Sequence, residues 1–316
     1  MRAVVQRGFG LTEQLPEREL PDPIPGEGEV LVRVAAAAVD RGTAHLLTGL
    51  PYIARPYVGM RAPRFPVVGR DVSGTVAAIG PGVTGYAVGD RVLGTADGSC
   101  AELAVVPVTR MVHLPEGLDP VTSAALPISG LTALQGLAKA HRGDGVRPGD
   151  AVLLIGASGG VGSAAVQLAK RRGAHVTAVT SPAKTAALRT LGADATLGRD
   201  DQLPQDAFDA VLDLVGGTRW PGLLDALAPR GRYVTSGAIA GPIVELDLRT
   251  LYLKDLTLIG STRQDPGVFT DLVSYIEAGE IKPVVAETYP LADLHAAQKA
   301  FLEKSHMGKI GVAIAG

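Results

Sequence analysis

The chain has little of several features that would assign a protein to a class at once. Its 316 residues include one cysteine, Cys100, which excludes an internal disulfide and a cysteine-rich zinc cluster. Thirty basic residues stand against 32 acidic ones, and the net charge of −2 gives no overall field to recruit nucleic acid or an anionic membrane. No apolar run approaches the roughly 18 residues of a membrane span, and no signal-peptide core follows Met1. We therefore expect a cytoplasmic protein without nucleic-acid or membrane partners.

Two styles of sequence follow one another along the chain. Up to about residue 118, short alternating runs such as Val30, Val32 and Val34 predict a β-rich barrel or sandwich. From about residue 120, apolar runs alternate with helical patterns, which predicts an α/β fold with a doubly wound parallel sheet. Two further helices are predicted at about 268–276 and 292–304, and we expect this tail to pack back on the β-rich part.

One stretch carries the pattern of a dinucleotide-binding turn. An apolar run over residues 151–155 leads into a glycine cluster, and residues 161–169 repeat apolar side chains at helical spacing. Glycines let the backbone approach a pyrophosphate closely, and a helix N-terminus offers unpaired N–H groups and partial positive charge. The glycine spacing is looser than the usual G-x-G-x-x-G, but the strand–turn–helix context strengthens it. The predicted cofactor contacts here are Gly156, Ala157, Ser158, Gly159, Gly160, Val161 and Gly162.

The residues after the next predicted strand, 174–179, favour NADP(H) as the cofactor. An NAD site places Asp or Glu near this point to bond the ribose 2′-hydroxyl. Here the chain has Ser181 and Lys184, and no acid that would repel a 2′-phosphate. We interpret both residues as phosphate contacts. The alternative is that Ser181 caps the following helix and Lys184 is a solvated lysine of its first turn.

Further cofactor contacts follow from topology, because ligands bind at the carboxyl ends of parallel strands. At those ends the sequence places Val215, Ser236, Gly237 and Ser261. Small and hydroxyl side chains suit a ribose edge and a carboxamide. They also suit ordinary tight turns, which is the alternative interpretation.

Six blocks of the chain carry a further pattern, and they lie at residues 66–76, 88–92, 124–134, 156–162, 191–194 and 279–285. Together these blocks resemble the medium-chain dehydrogenase/reductase superfamily, and within it the zinc-independent quinone oxidoreductase-like branch. The resemblance implies a discontinuous GroES-like catalytic domain over 1–122 and 264–316, and a Rossmann domain over 123–263. It also implies that Thr132 lies beside the nicotinamide ring, and that a strand near 256–260 pairs across the two-fold axis of a homodimer.

The chain departs from the zinc-dependent relatives at their metal ligands. Those relatives carry Gly-His-Glu where this chain has Gly69, Arg70 and Asp71, and their ligand cysteine near Val39 or Asp40 is missing. Because Arg70 stays protonated, it cannot ligate zinc. We therefore predict no metal, and a structural ion pair between Arg70 and Asp71.

Without a metal, the expected reaction is hydride transfer from NADPH to an electron-poor acceptor, a quinone or α,β-unsaturated carbonyl. The resemblance places Asp40 where the family has Asn, and His45 and Tyr52 at or near family tyrosines. We expect Asp40 to orient the substrate and His45 or Tyr52 to donate a hydrogen bond or proton. Alternatively, Asp40 caps a helix and His45 packs against a loop. The competing functions are an NAD(P)-dependent alcohol dehydrogenase of the same superfamily and a non-enzymatic nucleotide-binding homologue.

Overall fold

The computed structural model describes residues 1–10, 15–140, 145–262 and 267–314. The chain divides into two compact units, the first comprising Met1–Ile128 and Pro283–Gly316 and the second Ser129–Lys282. The strands are β1 (Arg2–Val4), β2 (Glu17–Glu19), β3 (Glu29–Val39), β4 (Asp71–Ile79), β5 (Arg91–Thr95), β6 (Leu103–Pro107), β7 (Met111–His113), β8 (Ala151–Ile155), β9 (His175–Val179), β10 (Ala195–Leu197), β11 (Phe208–Asp213), β12 (Leu227–Thr235), β13 (Thr257–Gly260), β14 (Val285–Pro290) and β15 (Lys309–Ala313). The helices are α1 (Arg41–Thr48), α2 (Arg55–Val58), α3 (Pro120–Ala124), α4 (Pro127–Lys139), α5 (Gly160–Arg171), α6 (Thr185–Thr190), α7 (Trp220–Ala226), α8 (Leu248–Leu253), α9 (Val268–Glu277) and α10 (Leu294–Glu303).

The second unit is built on a parallel six-stranded sheet. Its strand order is β10-β9-β8-β11-β12-β13, and each neighbouring pair is parallel. If the six strands of this sheet are renumbered 1 to 6 along the chain, their order is 3-2-1-4-5-6. This is the doubly wound arrangement of dinucleotide-binding folds. The central strands are apolar and almost fully buried, as helices on both faces require. The predicted fold class is confirmed, and the order reverses between β8 and β11.

The first unit is β-rich, with a seven-stranded sheet in the order β14-β15-β3-β4-β5-β7 and β6 paired to β3. Val30, Val32 and Val34 all face its core, as their alternation predicts. Gly74 lies where the register of β3 against β4 shifts, and a Cβ there would meet the carbonyl oxygen of Arg33 at 2.1 Å. Only glycine fits this close approach between strands.

The tail differs from the sequence prediction. From Pro283 it joins the first unit through β14, α10 and β15, but α9 belongs to the second unit. There a Cβ at Gly130 would lie 2.6 Å from the Leu272 side chain, and the Arg171 guanidinium stacks 3.6 Å from the Tyr275 ring centroid. The apolar stripe of α9 predicts that one face of the helix is buried, but it does not specify which unit buries that face.

The division of the chain by contacts lies at other positions than the predicted domain boundaries, which stay a prediction. The units divide between residues 128 and 129 and again between 282 and 283, instead of at 122/123 and 263/264. The predicted boundary at 263/264 lies outside the described residues. One predicted helix over about 120–140 is two helices, because Asp119 caps α3 and Pro127 starts α4. Within the described ranges, no helix has the length and hydropathy to cross a bilayer.

Candidate active site

The glycine turn of the second unit follows β8 and opens α5. Gly156 has a φ of +80°, a left-handed conformation that glycine adopts without strain. Gly159 is the extended N-cap residue of α5, and Ser163 donates the first helical hydrogen bond back to its carbonyl at 2.8 Å. The N–H groups of the preceding residues therefore lack intrahelical acceptors, as at every helix start. They are the donors that the sequence predicts for a pyrophosphate.

Gly162 is the position where the turn and the helix come closest. A Cβ at Gly162 would lie 2.2 Å from the carbonyl oxygen of Gly156 and 2.5 Å from Cα of Ala157. Both are backbone atoms, so a side chain here would displace the turn itself. Ala157 and Ser158 are buried within it. The residues present thus form a tight cradle that fits a dinucleotide phosphate.

Two cations and a hydroxyl lie at the carboxyl ends of β9 and β10. Ser181 is the N-cap of a short 3-10 helix, but among the described residues its side chain makes no capping hydrogen bond. Burial lowers the pKa of Lys184, and the positive charge of Arg199 lowers it further. The N–H of Thr180 donates to Leu197 at 2.9 Å, so the two strand ends lie side by side. Ser181, Lys184 and Arg199 thus all lie at the carboxyl ends of two neighbouring strands.

Arg199 is a candidate that the sequence analysis missed. It follows β10 by two residues, beyond the stretch after β9 that the motif directs attention to. Arg219 donates from its guanidinium to the backbone carbonyls of Arg199 and Asp201, which fixes the loop that carries Arg199. The sequence signal that could have identified Arg199 is a basic residue just after β10, the third strand of this sheet along the chain.

The turn after β11 is held by a buried carboxylate. Asp213 is fully buried, and its Oδ1 accepts the N–H groups of Val215 at 2.8 Å and Gly216 at 3.0 Å. Its Oδ2 accepts the hydroxyl of Tyr233 at 2.5 Å. Burial raises the pKa of Tyr233, and the charge and hydrogen bond of Asp213 raise it further, so the phenol stays protonated. Val215 therefore lies on a turn whose backbone has little freedom.

The remaining predicted contacts lie at the same edge of the sheet. Ser236 and Gly237 follow β12, and Ser261, which is buried, follows β13 and donates its N–H to Thr235 at 2.9 Å. The hydroxyl of Ser236 is buried without a hydrogen-bond partner among the described residues. Thr132 lies on α4 one turn before Gly136, where a Cβ would be 3.6 Å from the Ser236 oxygen. The predicted contacts that follow β8, β9, β11, β12 and β13 thus lie along one edge of this parallel sheet.

In the first unit, Asp40 caps α1 and belongs to a buried charged cluster. Its Oδ1 accepts the N–H of Thr43 at 2.7 Å and the Thr43 hydroxyl at 2.9 Å. Its Oδ2 lies 3.6 Å from Nζ of Lys309, beyond hydrogen-bond distance. The capping alternative is therefore realised, and one oxygen remains without a hydrogen-bond donor within the described part of the chain.

The ion pair of Asp71 is with Lys309 rather than with Arg70, which corrects the sequence prediction. Both side chains are buried, and Asp71 also accepts the N–H of Ile128 at 2.9 Å. Burial raises the pKa of Asp71 to about 6 although Lys309 opposes the shift. Nε of Arg70 is buried without a hydrogen-bond partner among the described residues. The Asp71 carboxylate is thus paired with the Lys309 ammonium group.

His45 and Tyr52 occupy different surroundings. His45 is half-buried on α1; burial lowers its pKa, an effect that a hydrogen bond with the backbone of Leu50 partly opposes. The imidazole is therefore neutral at pH 7, suited to a hydrogen bond more than to imidazolium acid catalysis. Tyr52 is 74% exposed. No described contact joins these two side chains to each other.

The donor set of the first unit does not suit zinc. Structural and catalytic zinc sites use three or four Cys, His or carboxylate ligands. Within the described residues, no group of three or more His, Cys, Asp or Glu is arranged to hold a metal ion. Of the residues at the expected ligand positions, Arg70 cannot ligate, and Asp71 already neutralises Lys309.

Comparisons with known proteins find a matching family for a part of each unit. Residues 26–116 match the family described as alcohol dehydrogenase GroES-like domain, and residues 160–278 match zinc-binding dehydrogenase. The chain is 31% identical to the chloroplastic quinone-oxidoreductase QR1 of Triphysaria versicolor, over 99% of this chain and 98% of that protein. It is 30% identical to the acryloyl-coenzyme A reductase of Sulfurisphaera tokodaii, over 98% and 99%. A solved NAD-dependent alcohol dehydrogenase superposes with a TM-score of 0.89, at 31% identity and full coverage of both chains.

Proposed function

Because the chain belongs to the medium-chain dehydrogenase/reductase superfamily, in its quinone oxidoreductase-like branch, and is therefore an oxidoreductase, we propose that it transfers hydride from NADPH to a quinone or an α,β-unsaturated carbonyl. The preference for NADPH is supported by the basic residues at the carboxyl ends of β9 and β10. Ser181, Lys184 and Arg199 come together where an NAD site would place an acid. A 2′-phosphate there meets two cations, whereas a free 2′-hydroxyl meets no carboxylate acceptor at the end of β9.

The chain's own residues bind and orient the cofactor, which when bound supplies the hydride. The first N–H groups of α5 would hold the pyrophosphate of a bound cofactor, and the close packing at Gly162 keeps those groups in place. Asp213 and Tyr233 fix the turn of Val215 beside it. Holding the nicotinamide and the acceptor in a reactive arrangement then accounts for most of the expected rate gain.

The reaction proceeds without zinc in this proposal. What supports it is Lys309, whose ammonium lies against Asp71 and near Asp40 and so supplies the positive charge that these carboxylates require. A quinone or enone accepts hydride without the Lewis acid that alcohol oxidation needs. Metal analysis of the purified protein, with turnover on a quinone panel and an alcohol panel, tests this. Bound zinc together with alcohol turnover would overturn it.

On the substrate side, we keep Asp40, His45 and Tyr52 as candidates. Asp40 can orient the acceptor only through Oδ2, because Oδ1 is engaged by Thr43. Neutral His45 donates a hydrogen bond, and Tyr52 has a phenol accessible to a ligand. The test is kcat and KM for His45→Gln and Tyr52→Phe on one quinone. If both variants keep the full kcat, neither takes part in the chemistry.

Two other functions are distinguished by simple measurements. The alcohol dehydrogenase alternative rests on the likeness to the solved NAD-dependent enzyme, and it predicts alcohol oxidation with NAD. The non-enzymatic alternative predicts NADPH binding with no acceptor that consumes it. Lys184→Ala addresses the cofactor directly: the variant should weaken NADPH binding far more than NADH binding, and an equal loss on both would remove the 2′-phosphate argument.

A homodimer is part of the proposal. In the described sheet, β13 is an edge strand that pairs only with β12. Next to it in sequence, Leu248, Tyr252 and Leu253 of α8 are 64%, 62% and 71% exposed. Unpaired strand edges and exposed apolar side chains support symmetric pairing. Leu253→Asp should then give monomers in sedimentation velocity, while Val88→Asp, a 64% exposed control, keeps the dimer. A monomeric wild-type protein would contradict it.

A further inference from the structure

The loop over residues 50–65, called here the arginine loop, exposes an unusual set of apolar side chains. Tyr52 is 74% exposed, Ile53 84%, Tyr57 77% and Met60 67%. Tyr52 and Ile53 come from a 3-10 turn, Tyr57 from the four-residue helix α2, and Met60 from the bend that follows this helix. Single exposed apolar residues are ordinary, but a group on one short segment marks an interaction surface.

Arg55 holds this loop in shape. Its Nε donates to the carbonyl of Gly49 at 2.7 Å, and its Nη1 donates to the carbonyl of Met60 at 3.1 Å. Its guanidinium also stacks 3.8 Å from the ring centroid of Phe9. Arg55 therefore links the start of α2 to the residue before the loop, to Met60 within the loop and to Phe9 near the N-terminus. The four apolar side chains remain exposed in this arrangement.

The same region has a one-sided charge. Between Arg41 and Arg70 the sequence contains no Asp or Glu, although the whole chain carries 32 acidic residues and a net charge of −2. Arg61 and Arg64 are exposed at the carboxyl end of the loop. The overall charge, which argued against a membrane partner, does not reveal that this segment carries arginines and no acidic residue. A surface of negative charge is the electrostatic complement of the loop.

We propose that the arginine loop docks on the surface of an anionic lipid bilayer. Tyrosine rings favour the headgroup region, aliphatic side chains such as Ile53 and Met60 enter the acyl boundary, and arginines bind anionic headgroups. A small soluble polyanion would use Arg61 and Arg64 but would leave Ile53 and Met60 in water. A protein partner would not require an acid-free segment of this length. The lipid surface alone uses all these side chains together.

Vesicle flotation tests the proposal with the intact protein and no acceptor or cofactor, so its outcome is separate from that of the proposed reaction. The wild type should float with phosphatidylcholine vesicles containing phosphatidylglycerol and stay behind with pure phosphatidylcholine. Ile53→Asp should lower the partition coefficient by about tenfold or more. Arg61→Ala and Arg64→Ala should each lower it about fivefold. The matched control is Ile24→Asp, because Ile24 is 88% exposed in the same unit and lies among acidic residues.

Three results would overturn the proposal. The first is a wild-type protein that fails to float with the anionic vesicles. The second is an Ile24→Asp variant that loses as much binding as Ile53→Asp. The third is a shift from dimer to monomer in Ile53→Asp with no vesicle binding in either protein, which would assign the loop to a second copy of the chain. Thermal melting of each variant checks that the substitution, at an exposed position, leaves the fold intact.

Discussion

Lys309 gives the sharpest prediction about stability. Its ammonium lies against Asp71 and 3.6 Å from Oδ2 of Asp40, and the three side chains are 3%, 0% and 9% exposed. Lys309→Met keeps most of the side chain's volume and removes its charge. Two carboxylates are then left buried without a cation. Breaking a buried ion pair from one side costs about 3–5 kcal/mol of unfolding free energy.

The size of this loss depends on pH, and its sign follows from Asp71. Burial raises the pKa of Asp71 to about 6 in the folded protein, against an ordinary value of 3.8. A raised carboxyl pKa means that the folded state holds the proton more tightly, so the unfolding free energy falls as pH rises from about 4 to the folded pKa. The slope is about 1.4 kcal/mol per pH unit. Lys309 itself lowers the Asp71 pKa, so removing Lys309 raises that pKa and extends the falling region above pH 6.

Urea unfolding of the wild type and Lys309→Met between pH 5 and 8 measures this. We expect the gap between the two proteins to widen above pH 6, by up to about 1.4 kcal/mol for each further pH unit. Lys299→Met, at an exposed lysine of α10, serves as the control and should change stability by less than about 0.5 kcal/mol. Parallel pH profiles for wild type and Lys309→Met would refute the reasoning, as would a loss at pH 8 no larger than that of the control.

Three smaller predictions concern the second unit. Gly162→Ala should lower NADPH affinity at least about tenfold, because its Cβ would meet a backbone oxygen at 2.2 Å, whereas Gly222→Ala, with open space around it on α7, should leave NADPH titrations unchanged. Tyr233→Phe leaves Oδ2 of buried Asp213 without its donor, and chemical unfolding should show a loss of about 1–3 kcal/mol; an unchanged midpoint would contradict the bond's importance. Arg199→Ala should weaken NADPH binding about tenfold in fluorescence titration and leave NADH binding unaffected, and a loss for both would remove Arg199 from the 2′-phosphate site.

Local pattern was sufficient for the cofactor unit. The apolar run of β8, the glycine turn and the small-residue face of α5 are contiguous in sequence, so their arrangement could be predicted before any tertiary information.

Long-range partners could not be predicted in this way. Asp71 and Lys309 are 238 residues apart, and nothing near Asp71 in sequence indicates that its cation comes from the last strand. The neighbouring Arg70 therefore was the natural but wrong choice. Arg199 could not be predicted from its distance in sequence to the glycine turn. It lies near Lys184 because β10 pairs in parallel with β9, so that the ends of the two strands are adjacent. For α9, an apolar stripe predicts burial without specifying the unit that buries it.

The proposed oxidoreductase uses NADPH through a basic 2′-phosphate site and reduces its acceptor without a metal. The most direct test is kcat/KM for NADPH and for NADH with one quinone, on protein dialysed against a chelator. We expect NADPH to be preferred by at least about tenfold, since each charged hydrogen bond to the phosphate contributes about 1.5–3 kcal/mol, and we expect turnover to survive the chelator. Equal or better use of NADH, or turnover that returns only with added zinc, would contradict the account.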